Sequence, residues 1–177
     1  TKNVKIEPLR HEDVEFLFEL RSGARSKFMK SISPNINDQY AYFGEYLKRY
    51  INETEIYYLI TDKITGVRAG VVRLTEIDND VTFCWESLVT KIGTRAVVAI
   101  DAICLIYHAG FKILGRKNCS PFRVPKQNDR VIKLHEIMGL ADRVGDKDDY
   151  WLYHVTEESY VSGIGRLSRM GFGNILQ

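Results

Sequence analysis

The sequence predicts one mixed domain of the α/β (α+β) class, with helices flanking a single, mostly antiparallel sheet. Three observations predict it. The chain has 177 residues, close to one domain length of about 150. Residues 55–88 hold three apolar runs separated by turns, and residues 95–110 and 128–138 then switch to helical spacing.

Taken in order, Val4 and Ile6 alternate with Lys5 and Glu7 in a short strand that Pro8 ends. Over residues 11–22, Val14, Leu17, Phe18 and Arg21 fall at helical spacing, with Gly23 as the stop. A polar loop, KSISPNIND, follows. Asp38 is the expected cap of a second helix, whose Tyr40, Phe43, Tyr46, Leu47 and Tyr50 make an apolar and aromatic stripe. EIYYLIT (55–61), VRAGVVRLTEI (67–77) and VTFCWESL (81–88) read as an antiparallel meander, with Gly66 in the first turn and DND at 78–80 in the second. Gly93 and Thr94 lead into a helix over 95–110 that is apolar on most sides and therefore buried. A strand over 118–124, broken by Pro121, precedes a helix over 128–138 that Gly139 closes in a left-handed cap. DYWLYHVT (149–156) is the last predicted strand. Residues 1–157 thus form the domain. Residues 158–177 form a glycine-punctuated tail with Ile164, Leu167, Met170, Phe172 and Ile175, which either docks on a neighbouring copy, as in a homodimer, or is mobile.

Composition narrows the partners. Hydrophobic residues at 45% and charged residues at 27% exclude wholesale disorder. A net charge of +2 argues against nucleic acid or an acidic membrane surface as the main partner. Cys84, Cys104 and Cys119 are odd in number and lack CxxC spacing, so reduced core thiols are expected. The N-terminus has no signal pattern, and Asp101 interrupts the longest apolar stretch, 96–106, well short of the ~20 residues of a membrane span. A cytoplasmic protein without a membrane partner is expected. No H-x-x-x-H or carboxylate-rich spacing suggests a metal.

The element order and two segments, KIGTRA at 91–96 and NDRVIKLHEIMGL at 128–140, resemble the GNAT superfamily of acyl-CoA-dependent N-acyltransferases over residues 3–156. Asn128, Leu134, His135, Glu136 and Gly139 match the family's later helix, Asn-x-x-x-x-x-Leu-Tyr/His-Glu-x-x-Gly-Phe, and Leu140 stands for its final Phe. Of the phosphate loop, Arg/Gln-x-x-Gly-x-Gly/Ala, Gly93 survives, while Leu88 and Lys91 stand at the leading and first glycine positions. The resemblance implies a GNAT-like sheet and acetyl-CoA as co-substrate. It places the coenzyme on Leu88, Val89, Lys91, Ile92, Gly93, Thr94, Arg95, Asn128 and Arg130, around a helix N-terminus whose free N–H groups favour an anion. Lys91 either pairs with phosphate or blocks its approach, and Asn128 alone reads equally well as an N-cap. Arg95, Arg130 and Lys126 lie near the same edge.

The implied reaction is acetyl transfer to a primary amine by direct attack in a ternary complex. Glu86 is the base candidate, because Trp85 and Leu88 would surround it with apolar groups that raise a carboxylate's pKa; otherwise it is solvated on the open face. His135 stands where many family members carry a tyrosine acid, and it either donates a proton or packs beside the coenzyme. His154 is a weaker base candidate. Arg21, Arg25 and Lys27, with Trp85, Tyr40 and Tyr46, offer cations and aromatic faces to an acceptor. The FCWESLVTKIGT and VIKLHEIMGL segments look like the amino-sugar N-acetyltransferases of surface-polysaccharide pathways, implying a nucleotide-linked amino sugar as the small-molecule amine. The alternative is a catalytically inactive GNAT-shaped binding or assembly module, supported by Leu88 and Lys91.

Overall fold

The computed structural model describes residues 1–78 and 80–174; Asn79 of the predicted 78–80 turn and Ile175 of the predicted tail lie outside them. Seven strands form one sheet in the order β1-β2-β3-β4-β5-β7-β6. β1 (Val4–Pro8), β2 (Glu55–Asp62), β3 (Arg68–Thr75) and β4 (Thr82–Thr90) pair antiparallel. β5 (Asn118–Pro125) lies parallel to β4, as the helical crossover through α3 (Ala96–His108) requires. β7 (Tyr150–Thr156) and β6 (Asp142–Lys147) then complete the sheet antiparallel.

Strand alternation divides the core. Tyr57, Leu59, Val71 and Val89 face α1 (Val14–Ser22) and α2 (Ile36–Ile51), packing on Leu17, Phe43 and Tyr46. Ile60, Val72, Leu74, Phe83 and Trp85 face the other way, onto α3, the end of α4 (Asp129–Met138) and α5 (Glu157–Arg169). α3 runs on through one π-helical turn, Ala109–Ile113. Its 96–113 stretch is long and apolar enough to cross a membrane by composition alone, but 61% of it is buried as the core helix.

Several expectations need correction. The cap of α2 is Asn35, whose side chain accepts from Asn37 N at 3.0 Å, rather than Asp38. β6 was not predicted, because all six of its residues are exposed and no apolar alternation marks it. The segment expected as a tail from 158 is α5, which begins in a capping box on Thr156 and buries Tyr160, Gly163 and Leu167. It belongs to this domain's own core. Arg166 reaches back to donate to Met138 O at 2.7 Å, beside the left-handed cap Gly139, where a Cβ would overlap the guanidinium.

Asp101, the one charge within α3, fastens the segments at Asn3 and Gly173 to it. Its carboxylate is 1% exposed, accepting from Asn3 Nδ2 at 3.0 Å and from Gly173 N at 2.7 Å. Asp101→Ala leaves two buried donors unpaired and is expected to cost about 2–4 kcal/mol. Thermal unfolding should show a midpoint lowered by roughly 5–15 °C. Asp101→Asn, which can re-pair after an amide flip of Asn3, should lose less than half as much. Equal midpoints for Asp101→Ala and the wild type would remove this role.

Candidate active site

The two middle strands pair and then part. β4 and β5 meet only at Thr82↔Asn118 and Phe83↔Cys119. Both strands bend beyond those pairs. β4 carries an extra residue between Glu86 and Val89, where Ser87 takes a positive φ of 59°. β5 carries one between Cys119 and Phe122, at Pro121, which has no N–H to give to a ladder. From residue 84 on β4 and 120 on β5, two strand edges therefore face each other without pairing. Between and above them lies a cavity of about 890 Å³, lined by both strands, by α4 and by residues 28–33 of the α1–α2 connection.

Glu86 lines this cavity, but its surroundings differ from the expectation. Trp85 and Leu88 line the same cavity but pack with the α3-side core, and the partner of Glu86 is the Arg73 guanidinium of β3. Arg73 also donates to Tyr42 Oη at 3.1 Å and to Glu55 at 3.5 Å, and Glu55 accepts from Arg49 at 2.8 Å. Burial works against the Arg73 charge, while Tyr42, Glu86 and Glu55 together raise its pKa above the ordinary value. Glu86 is thus a half-exposed carboxylate held in an ion-pair network. Arg73 was missed by sequence reasoning; its signal was a lone cation in the apolar run VVRLT, in register with Glu86.

His135 is 2% exposed and enclosed by Trp85, Phe122 and Tyr153, with ring centroids 5.0–6.2 Å away. Burial pushes its pKa down to about 4. Burial therefore favours the neutral ring, enclosed among aromatic side chains. Among the described residues its Nε2 has no hydrogen-bond partner, and the residue lines the cavity. Trp85 lies at the same apex, edge-on to Tyr107. His154, the weaker base candidate, is on β7 and is not among the cavity-lining residues.

The residues assigned to the coenzyme divide between site and scaffold. Leu88 lines the cavity, whereas Val89 is buried in the α1–α2 core. Gly93 has φ +87° with nothing near its Cβ position, and Ile92 beside it is exposed. The first turn of α3 has no side-chain cap. Lys91 accepts from Thr94 N through its carbonyl at 3.2 Å, and its Nζ lies 3.8 Å from Glu19. Thr94 is structural, its hydroxyl donating to Ala69 O at 3.1 Å. Arg95 closes its fork on Asp62 at 2.9 and 2.7 Å and holds that carboxyl below its usual range, so it is not a free phosphate ligand. Asn128 acts as the N-cap of α4, accepting from Val131 N at 3.4 Å. Lys126 is paired with Asp146 at 2.9 Å.

Of the expected acceptor residues, Arg25 is a clamp. Its Nη1 donates to Thr90 Oγ1 at 2.7 Å and Lys91 O at 2.8 Å, tying the α1–α2 connection to the end of β4. Burial and then the Arg130 charge lower its pKa. Arg21 lines the cavity and donates to Lys30 O at 2.7 Å. Tyr46 is buried in packing, and Tyr40 packs against His11. Among the described residues no group of three or more His, Cys, Asp or Glu side chains is placed to hold a metal ion.

No protein-family model matches the chain, and a search of curated proteins finds no match. Solved structures do. Apo FdhC, described as a nucleotide-linked sugar GNAT, superposes with a TM-score of 0.81 at 27% identity, over 95% of this chain and 94% of that one. A spermidine N-acetyltransferase from Vibrio cholerae, solved with CoA and spermine, superposes with a TM-score of 0.73 at 15% identity, over 91% and 99% of the two chains.

The buried neutral His135 has a consequence for stability. Its folded pKa lies below the ordinary 6.5, so between about 4 and 6.5 the unfolded chain binds the extra proton. Its contribution is complete above pH 6.5 and is lost as pH falls toward 4, at most about 3 kcal/mol. Unfolding midpoints at pH 7 and pH 5 should therefore differ more in the wild type than in His135→Gln. An identical pH response of the two proteins would contradict the buried neutral ring.

Proposed function

Because the chain has the GNAT fold, we propose that it is an acetyl-CoA-dependent N-acetyltransferase whose acceptor is a primary amine, that of a nucleotide-linked amino sugar. The observation that carries the reading is the parting of β4 and β5, which leaves two unpaired strand edges beside a large cavity. Such edges suit an extended ligand with amide groups of its own, as the pantetheine arm of coenzyme A is. The open turn at Gly93 and the uncapped start of α3 suit its pyrophosphate.

Acetyl-CoA supplies the acyl group as a thioester. Backbone N–H groups of the β4 bulge at Ser87 and Leu88 are the donors for the thioester carbonyl oxygen. Glu86 attracts the acceptor's ammonium group and removes its proton, with Arg73 fixing the carboxylate's position. His135, being neutral, contributes a hydrogen bond from its unpartnered ring edge rather than an imidazolium proton. The leaving thiol has an ordinary pKa near ~8.5, so its protonation from water suffices. The nucleotide-sugar acceptor is supported by the description of the 27%-identical neighbour and by the cations that line the cavity.

Two outcomes are expected. Acetyl-CoA at ~100 times its dissociation constant should stabilise the protein by ~2.7 kcal/mol, raising the unfolding midpoint by several degrees. In a thiol-release assay with an amino-sugar acceptor, Glu86→Gln should lower kcat about 100-fold or more with the unfolding midpoint kept. Full turnover by Glu86→Gln would remove the base assignment, and no shift with acetyl-CoA would overturn the acetyltransferase reading.

A further inference from the structure

The α1–α2 connection lines a second, smaller and open cavity of about 340 Å³ that adjoins the first and shares Arg21 and residues 29–33 with it. Its charge is one-sided. Arg21, Lys27 and Lys30 line it together with four serines, and no carboxylate is among its lining residues. The wall is held in shape by its own hydrogen bonds. Arg21 reaches nine residues along the chain to Lys30 O at 2.7 Å, and the Ser26 hydroxyl lies 2.5 Å from Arg21 O. The lysine ammonium groups are unspent. Among the described residues Lys30 Nζ forms no ion pair or hydrogen bond, and Lys27 Nζ meets only the Phe28 ring, 4.7 Å away.

Three cations in one concavity repel one another until an anion enters. A phosphoryl group brings several acceptor oxygens and more than one negative charge, matching ammonium donors, a guanidinium fork and serine hydroxyls together. A carboxylate would satisfy less of the set. The larger cavity repeats the bias, with Arg21, Lys30, Arg73 and Arg123 against Asp38 and Glu86. Arg123 also lacks an ion-pair partner among the described residues. A polycation would enter this groove against its field, with only the two carboxylates to receive it.

We propose that the α1–α2 connection is the phosphoryl-binding half of the acceptor site, with Lys27 and Lys30 as its charge contacts, so that the acceptor is an amine bearing a phosphate or diphosphate ester rather than a polyamine. The inference rests on reading the main cavity as the site of acetyl transfer. The amine then lies at Glu86 and the phosphoryl group in the smaller cavity, which makes the acceptor an elongated molecule with its two recognised groups at opposite ends.

The test is calorimetric titration of the full chain with UDP, inorganic pyrophosphate and spermine, after saturation with CoA so that the coenzyme's own phosphate contacts are filled. UDP and pyrophosphate should bind, more weakly as added salt shortens the Debye length. The Lys27→Ala/Lys30→Ala variant should lose about tenfold or more in affinity for both, with CoA affinity and unfolding midpoint kept. Lys27→Arg/Lys30→Arg should retain binding, and spermine should not bind. Tighter binding of UDP than pyrophosphate assigns the ester to a nucleotide; equal binding assigns it to a sugar phosphate. No binding of either anion, unchanged affinity in the alanine variant, or binding of spermine would overturn the proposal. Failure of CoA to bind overturns the acetyltransferase reading instead. In that event, UDP bound by the ligand-free wild type and lost in the alanine variant still supports the phosphoryl site, whereas its absence removes that as well.

Discussion

The parting of β4 from β5 is the constraint on which the rest of the structure depends. Two parallel strands that paired along their length would bury their edges in each other and leave no site. Here pairing stops after two positions, and beyond them β5 carries an extra residue at Pro121 and β4 one at the positive-φ Ser87. The positive φ at a serine costs on the order of 1–3 kcal/mol, and the unpaired edges add to that. The surroundings offset this cost. Trp85, Phe122, His135 and Tyr153 fill the apex with packed rings, and α3 supplies a continuous buried helix behind it.

The fold keeps the opening in shape with charged side chains used as fasteners. Arg25 ties the α1–α2 connection to the end of β4, Arg95 ties the start of α3 to the end of β2 at Asp62, and Asp101 ties the segments at Asn3 and Gly173 to the middle of α3. Arg166 secures α5 against the end of α4. Each joins elements distant in sequence, so the frame around the site is held by interactions that residue spacing does not reveal. Among the described residues the cations left without such duties, Lys27, Lys30 and Arg123, line the groove or the smaller cavity beside it.

This division explains what was legible beforehand. The meander β2–β4, the apolar α3 and the Asn128–Gly139 helix carry strong local signals of alternation, helical spacing and caps, and they stand where the sequence places them. β6 carries none, since both of its faces meet water, and α5 was hidden by glycines that serve close packing, such as Gly163 against Leu140. Glu86 and His135 were identifiable as residues but not in their environments. Trp85 packs with the α3-side core, and Arg73 meets Glu86 in a cross-strand relation set by register. The same burial that encloses His135 in the cavity wall favours its neutral ring. Arg25 and Arg95 were chosen because basic residues suit phosphate, yet a guanidinium fork suits a backbone carbonyl or a buried carboxylate as well.

The most direct test of this account is amide hydrogen exchange along β4 and β5 with and without CoA. The unpaired edges make the amides of residues 84–90 and 120–125 that face the gap exchange readily in the free protein, while those paired to β3 and β7 are protected. The account predicts that CoA slows exchange selectively at the gap-facing amides, together with those at 92–96. Protection confined to 92–96, or no change at any of these positions, would contradict the claim that the parted strand edges are the binding site.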